Sequence, residues 1–404
     1  METCRVPNLS AFYFRPFGVN IPLMQPEYDL TSVREQFPVV VNETIYLNHA
    51  GISPIPAVTR RAVEEGAATL ADFHGMDKVF HDLFSEARAN VGRLINAQPE
   101  EIAFVQNTAE GVNLAAHSLP LKAGDNVLSC DQEYPAVAYP FMNLHKRRGV
   151  ETRIMPNDGG GTTVELLERH ADARTRVVAV SSVEFATGFR ADLKSIGEWC
   201  HARGIWFVVD GIQSLGVEPM DVKAWHIDVL ASGGHKWMMI PAGQGFLYVD
   251  KARLEELDPP FSGAGSVANA GDYLNYNLTP APDMRRFELG VPNILGLMGL
   301  NSSLSFLQSL GIASIDAWTL HLTDLLLDEL DKRGYQPLVN RNRKHRSAIV
   351  IFTAPGEDAN ADIEKRLKAV NVRYAVRGGG IRLAPHCFNS EDEINRVAEA
   401  LGKV

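Results

Sequence analysis

Ile205-Trp-Phe-Val-Val-Asp210-Gly-Ile-Gln213 and Ser232-Gly-Gly-His-Lys236-Trp-Met-Met239 decide the reading of this chain, with Lys236 lying 26 residues beyond Asp210. The first is an apolar run that ends in a carboxylate and a glycine, the pattern of a buried strand breaking into a loop. In the second, Lys236 follows a strand-like run and a Gly pair and precedes Trp237-Met238-Met239-Ile240. Most strand-end aspartates only terminate the strand, and roughly nine in ten lysines are solvated surface charges. These flanks are a poor setting for an exposed ammonium and a good one for a desolvated amine. Desolvation lowers a lysine's pKa and makes it nucleophilic toward an aldehyde.

Outward from this pair, short β-rich runs (Ile102–Val105, Asn126–Ser129, Arg176–Ser181, Ile205–Val209, Ile227–Ala231, Gly245–Val249) alternate with helical stretches such as Ala191–Arg203. The expectation is an α/β fold with a mostly parallel sheet covered by helices on both faces, carrying its ligand at the carboxyl ends of the strands. Residues 79–97 place Phe80, Leu83, Phe84, Ala87, Val91 and Leu94 on one helical stripe. After Gly290-Val291-Pro292 come long helical patterns (Asn293–Leu310, Ile312–Arg333) and strands near Ser347–Phe352 and Ile381–Ala384. We therefore expect an arm over 1–28, a large domain over 29–292 and a smaller C-terminal α/β domain over 293–404. Ser390 and Glu393 have the spacing of a capping box. The triplets Gly159–Gly161 and Gly378–Gly380 read as turns.

With Lys+Arg 39 against Asp+Glu 49 and no basic run, nucleic acid is not an expected partner. No stretch of 18 apolar residues is free of charges and turn formers, so no membrane is expected. The four cysteines (Cys4, Cys130, Cys200, Cys387) are scattered without a C-x-x-C pair. That suggests a cytoplasmic protein without a metal site. Residues 1–28 lack a basic region followed by an apolar stretch and are not read as a signal peptide.

Seven segments in order, Tyr46-Leu-Asn-His-Ala-Gly51, Thr108-Ala-Glu-Gly111, Glu133-Tyr-Pro135, Asp210-Gly-Ile-Gln213, His235-Lys-Trp237, Arg286-Phe-Glu-Leu-Gly290 with Pro292-Asn293, and Ile381-Arg-Leu-Ala-Pro-His386, make the chain resemble the class V aminotransferase family of pyridoxal 5′-phosphate (PLP) enzymes, fold type I. The family includes cysteine desulfurases, isopenicillin N epimerase, kynureninase and carbon–sulfur lyases. The resemblance implies that Lys236 holds the cofactor as a Schiff base and that Asp210 keeps the ring nitrogen protonated, so that the ring can accept electrons from Cα. It gives Gln213 to the phenolic oxygen, Tyr134 to the ring face, and Thr108, Ala109, His235 and Ser232 to the phosphate. A plain helix cap is the ordinary reading of Thr108, and a core or rim aromatic that of Tyr134. Ser232 lies one place farther from the lysine than the family's serine. Arg382 matches the arginine that takes the substrate's carboxylate, with Arg377 as the competing candidate and a salt-bridged sheet edge as the bland view of both. Asn48 and His49 are expected at the mouth of the site. A homodimer is implied by the resemblance alone.

Three departures stand out. No cysteine occurs between Asn340 and Arg382, where persulfide-forming desulfurases carry their nucleophile, and Cys387 is not at a matching position. Val291 stands where relatives have a threonine in Gly-Thr-Pro, and Phe185 where several have an asparagine, with Glu184 beside it. The expected function is a PLP enzyme that deprotonates Cα of an α-amino acid, foremost a carbon–sulfur (Cβ) lyase of the desulfurase-like group without a persulfide cysteine. The alternatives are an aminotransferase or epimerase of the same family, or a non-catalytic PLP-binding protein.

Overall fold

A computed structural model describes residues 25–72, 76–157, 159–356 and 359–404. Most of the expected arm, Cys4 and the side chain of Phe80 lie outside the described residues. The central sheet has seven strands: β1 (Ile102–Val105), β2 (Asn126–Cys130), β3 (Glu151–Met155), β4 (Thr175–Ser181), β5 (Trp206–Asp210), β6 (Val229–Gly233) and β7 (Gly245–Val249). Their order is β1-β7-β6-β5-β4-β2-β3. Neighbours from β3 to β6 run parallel, while β7 runs antiparallel to both β6 and β1. The mostly parallel α/β architecture read from the sequence is therefore present.

Both faces are buried, and the pleat sorts the side chains. Phe207, Val209 and Leu230 join one core cluster, while Trp206, Val208, Val229 and Ala231 join the other, against helix Thr108–Ser118 and helix Pro135–Arg148. A period of two carries this alternation on to the strand ends, so Asp210 and Gly233 fall on the helix 108–118 face and Ser232 on the opposite one. Helix 108–118 lies close to the sheet because Gly111 faces Ala231, where a Cβ would come within 2.8 Å of the alanine's own.

A second, antiparallel sheet of four strands, β8 (Gln336–Pro337), β9 (Val350–Thr353), β10 (Ala375–Arg377) and β11 (Gly380–Leu383), is ordered β10-β11-β9-β8. Helices Ile312–Lys332, Ala359–Ala369 and Glu391–Leu401 supply its core. The last helix starts with the capping box formed by Ser390 and Glu393. The first described residues also pack here: Tyr28 donates its hydroxyl to the Cys387 carbonyl (2.8 Å), and Ile45–Tyr46 pairs in parallel with Val372–Arg373. No single described helix is long and apolar enough to cross a membrane.

The loop after β5 is held against the chain that follows Lys236. Gly216 has φ +102°, and a Cβ there would lie 2.4 Å from the Trp237 carbonyl oxygen. Gly216→Ala therefore meets a backbone clash and a left-handed conformation together. The latter alone costs on the order of 1–3 kcal/mol. The expected result is a clearly lower midpoint in urea unfolding, and an unchanged midpoint would show that the two loops are not tightly apposed.

Candidate active site

A cavity of about 310 Å³ opens where the carboxyl ends of β5 and β6 meet the first turn of helix 108–118 and the β10–β11 hairpin. Asp210, the last residue of β5, and Lys236, three residues past β6, both line it. Burial lowers the Lys236 amine to about 8, the charge of Asp210 opposing and that of Arg382 assisting the shift. Burial likewise pushes the Asp210 carboxyl up to about 6, against the Ile212 N–H it accepts (2.9 Å) and the lysine's charge. For both groups desolvation outweighs their mutual attraction. The result is an amine that is readily neutral beside a carboxylate starved of water.

Around this pair the expected residues converge. Lys236 Nζ lies 5.7 Å from the centroid of the half-exposed Tyr134 ring. Gln213 accepts the Trp237 indole N–H (2.9 Å) and donates to the Ala50 carbonyl (3.1 Å), which fixes its amide orientation and leaves one N–H for a ligand. Thr108 and Ala109 open their helix behind the N-cap Asn107, and neither N–H has an acceptor among the described residues. Thr108 Oγ accepts the Gly233 N–H (2.9 Å), tying the helix to the end of β6. His235 lines the same end of the cavity, held below its ordinary pKa by burial and then by the charge of Lys236. Arg382, on β11, is buried and donates through Nη1 to the Phe185 carbonyl (3.0 Å), while its Nε has no partner. Burial, then Arg377, lowers its guanidinium to about 10, still a cation near neutrality.

Three expected residues do not line the cavity. Ser232 has the pleat phase of Leu230, points away from helix 108–118, and turns its hydroxyl to the Gly233 carbonyl (3.1 Å). Asn48 is bridged to Ala384, and His49 packs its fully buried ring among Trp237, His386 and Phe388 with Nδ1 at 2.7 Å from Ser53 Oγ. Ala50 and Gly51 take the wall position instead. Arg377, the competing candidate for the carboxylate, lines the cavity together with Arg382, and so does Phe185. The signal for Arg377 was readable: a two-glycine turn between strands puts the residues flanking it on one face.

Beside Asp210 lie two further buried carboxyls. Glu133 accepts the Ser181 N–H (2.7 Å) and hydroxyl (2.5 Å), yet burial pushes it up to about 7. Glu184 is driven well above the carboxylate range by burial and then by the charge of Glu133. Both carboxyls of this pair are thus pushed toward their protonated forms. The described cysteines are all buried, with thiols raised above their ordinary range, Cys130 to about 12.

These residues fit pyridoxal phosphate: a desolvated amine for the aldehyde, a buried carboxylate for a ring N–H, an aromatic wall, and free helix N–H groups for a phosphate. Since the neutral amine is the nucleophile, uptake of the cofactor by the apoprotein should accelerate as pH rises, with a midpoint at about 8 and not at the ordinary 10.5. Asp210→Asn, by removing the charge that favours the ammonium, should move that midpoint down. Stopped-flow absorbance over a pH series checks both, and a midpoint near 10 would contradict the burial of Lys236.

Residues 45–391 match the model of the family described as Aminotransferase class-V. A cysteine desulfurase of Escherichia coli is 32% identical over 408 residues, covering 93% of this chain and 98% of the relative. The apo structure of a cysteine desulfurase from Thermococcus onnurineus superposes with a TM-score of 0.83 at 27% identity, covering 94% and 98% of the two chains. A cystine C–S lyase solved with its product cysteine persulfide gives the same TM-score of 0.83, and its 24% identity, over 91% and 99% of the chains, speaks to the fold alone. The fold is thus that of the fold-type I enzymes, and the chain belongs to the aminotransferase class-V family as a PLP-dependent enzyme.

Proposed function

We propose that the chain is a carbon–sulfur (Cβ) lyase that acts on a sulfur-bearing α-amino acid and releases the sulfur fragment without passing it to a cysteine of its own. The observation that carries this reading is the burial of the three described thiols, Cys130, Cys200 and Cys387. Cys387, the one nearest in sequence to Arg382, is fully buried, its N–H donates to His386 Nδ1 (2.7 Å), and burial holds its thiol far from ionisation. No described cysteine offers a thiolate to receive sulfur.

Bound here, pyridoxal phosphate supplies an aldehyde for the substrate amine and a ring that takes up electrons when a bond to Cα breaks. Asp210 holds a proton at the ring nitrogen, and its burial keeps water from competing for that contact. Gln213, oriented by Trp237, donates to the phenolic oxygen. The N–H groups of Thr108 and Ala109 and the ring of His235 take the phosphate. Arg382 offers its Nε edge to the α-carboxylate, and Lys236, neutral above about pH 8, accepts the Cα proton. Phe185 and Tyr134, edge to face at 5.2 Å, wall off the substrate side. The homodimer implied by the resemblance would cover the exposed Leu274, Tyr276, Leu278 and Val291.

The purified protein should show the visible absorbance of a lysine-bound cofactor, absent in Lys236→Ala. L-cysteine, its conjugates or its sulfoxides should yield pyruvate, ammonia and the free sulfur fragment. Lys236→Ala should lose about 10²–10⁴-fold in turnover, while Cys387→Ser keeps the activity. Accumulation of the cofactor's amine form would move the assignment to an aminotransferase, and a protein-bound persulfide would overturn the reading.

A further inference from the structure

Glu133 and Glu184 are buried carboxyls for which the cavity's chemistry has no use, and each precedes a residue that lines it, Tyr134 and Phe185. Glu133 lies just past β2, and Tyr134 opens helix Pro135–Arg148. Glu184 belongs to the loop after β4, which the pairing of Val183 with Arg190 closes and in which the Gly188 N–H donates to the Glu184 carbonyl (2.9 Å). Both turns leave the sheet beside Asp210, because Ser181, the last residue of β4, opposes Asp210 in the register. One Glu133 oxygen accepts the Ser181 N–H (2.7 Å) and the other its hydroxyl (2.5 Å). The Glu133 and Glu184 side chains then hydrogen-bond to each other.

A bond between two carboxyls needs a proton, since two carboxylates offer acceptors only. The surroundings favour keeping it. Asp210 faces the pair from β5, Asp131 and the Cys130 thiol face it from the end of β2, and among the described residues no cation is paired with either carboxyl. Burial pushes Glu133 up to about 7 and Glu184 well above its ordinary range. Carboxyls in contact release their protons in separate steps that belong to the pair, so one proton stays between them at neutrality.

That bond joins two walls of the cavity. Tyr134 and Phe185 meet edge to face at 5.2 Å, and the Phe185 carbonyl accepts from Nη1 of Arg382 (3.0 Å). We propose that Glu133 and Glu184 are positioning residues, a proton-sharing clasp that holds the Tyr134 turn against the Phe185 loop and so sets Arg382 relative to Lys236. Without the proton, two carboxylates repel each other out of reach of water, and the loops part. Neither carboxyl lines the cavity or takes part in proton transfer at Cα. The proposal rests on the reading of Arg382 as the partner of the substrate's α-carboxylate and adds what holds it in place.

The clasp is tested first on the apoprotein, by the infrared difference between the parent and Glu184→Gln at neutral pH. The parent should show the C=O absorption of a protonated carboxyl that the variant lacks. Glu218, also raised by burial, to about 8, is common to both proteins and cancels. The holoenzyme is then titrated with L-alanine over a pH series, following the cofactor's absorbance to obtain Kd. In Glu184→Gln the amide N–H donates to Glu133 at every pH, so the clasp no longer depends on a proton. Parent and variant should bind alike on the acid side of neutrality, and the parent should fall behind by roughly 10-fold as the pair loses its last proton. Glu184→Ala, with no such bond, should bind weakly throughout. If Glu184→Ala does not fold, the comparison with Glu184→Gln decides alone. A ratio of the two Kd values that is constant with pH is what a merely structural role gives, and it overturns the proposal, as does the absence of the infrared difference. If L-alanine leaves the absorbance of every protein unchanged, the reading of Arg382 falls, and the infrared difference decides for or against the pair.

Discussion

Everything in this molecule that bears on chemistry depends on keeping Lys236 and Asp210 out of water at the same edge of one sheet. Two opposite charges buried this way attract each other less than they lose in hydration, so each drifts toward its neutral form. A fold gains nothing in stability from such a pair compared with apolar packing. It gains an amine that can attack an aldehyde near neutral pH and a carboxyl that can guard a ring proton. The parallel sheet makes this possible, because β5 and β6 end side by side and their loops leave from the same edge.

Trp237 holds the pair in place. Its indole N–H orients Gln213, and its carbonyl accepts from Nε2 of His386 (2.8 Å), whose Nδ1 in turn accepts the Cys387 N–H. Those two bonds fix the tautomer and require a neutral ring, and burial agrees by lowering His386 to about 4. The loop that carries the lysine is thereby anchored to the segment after β11 that carries Arg382. Lys236, just past β6, and Arg382, on β11, belong to different sheets, yet one buried hydrogen-bonded chain links the segments that carry them.

The strands that build the sheet were legible because each is an apolar run buried on both faces, and their observed limits differ from the reading by a residue or two. β3 was not seen, since Glu151-Thr-Arg-Ile-Met155 is an edge strand with partly exposed polar side chains and no apolar run. Residues next to Lys236 could be placed from the sequence where the strand itself fixed their phase, as for Asp210, which lines the cavity. Ser232 shows the same rule in reverse: its hydroxyl chemistry suited a phosphate, and its phase on β6 turns it to the other face, away from the cavity. Asn48 and His49 belong to an extended segment whose partner, Ala384, is more than 300 positions away in the chain, and no local pattern says which of four consecutive residues faces the cavity.

The division of labour between the two sheets explains why the cofactor was easier to read than the substrate. Groups suited to the cofactor sit at the ends of β5, β6 and helix 108–118, where the central core constrains them. Groups suited to the substrate sit on the β10–β11 hairpin and on the loop through Glu184 and Phe185, which pack on cores other than those of the central sheet. Phe185 and Arg377 line the cavity from these outer elements, while the charge of Arg382 reaches Lys236. Glu184 fits the same view: burial and the charge of Glu133 push its carboxyl toward the protonated form, which carries no charge beside Asp210.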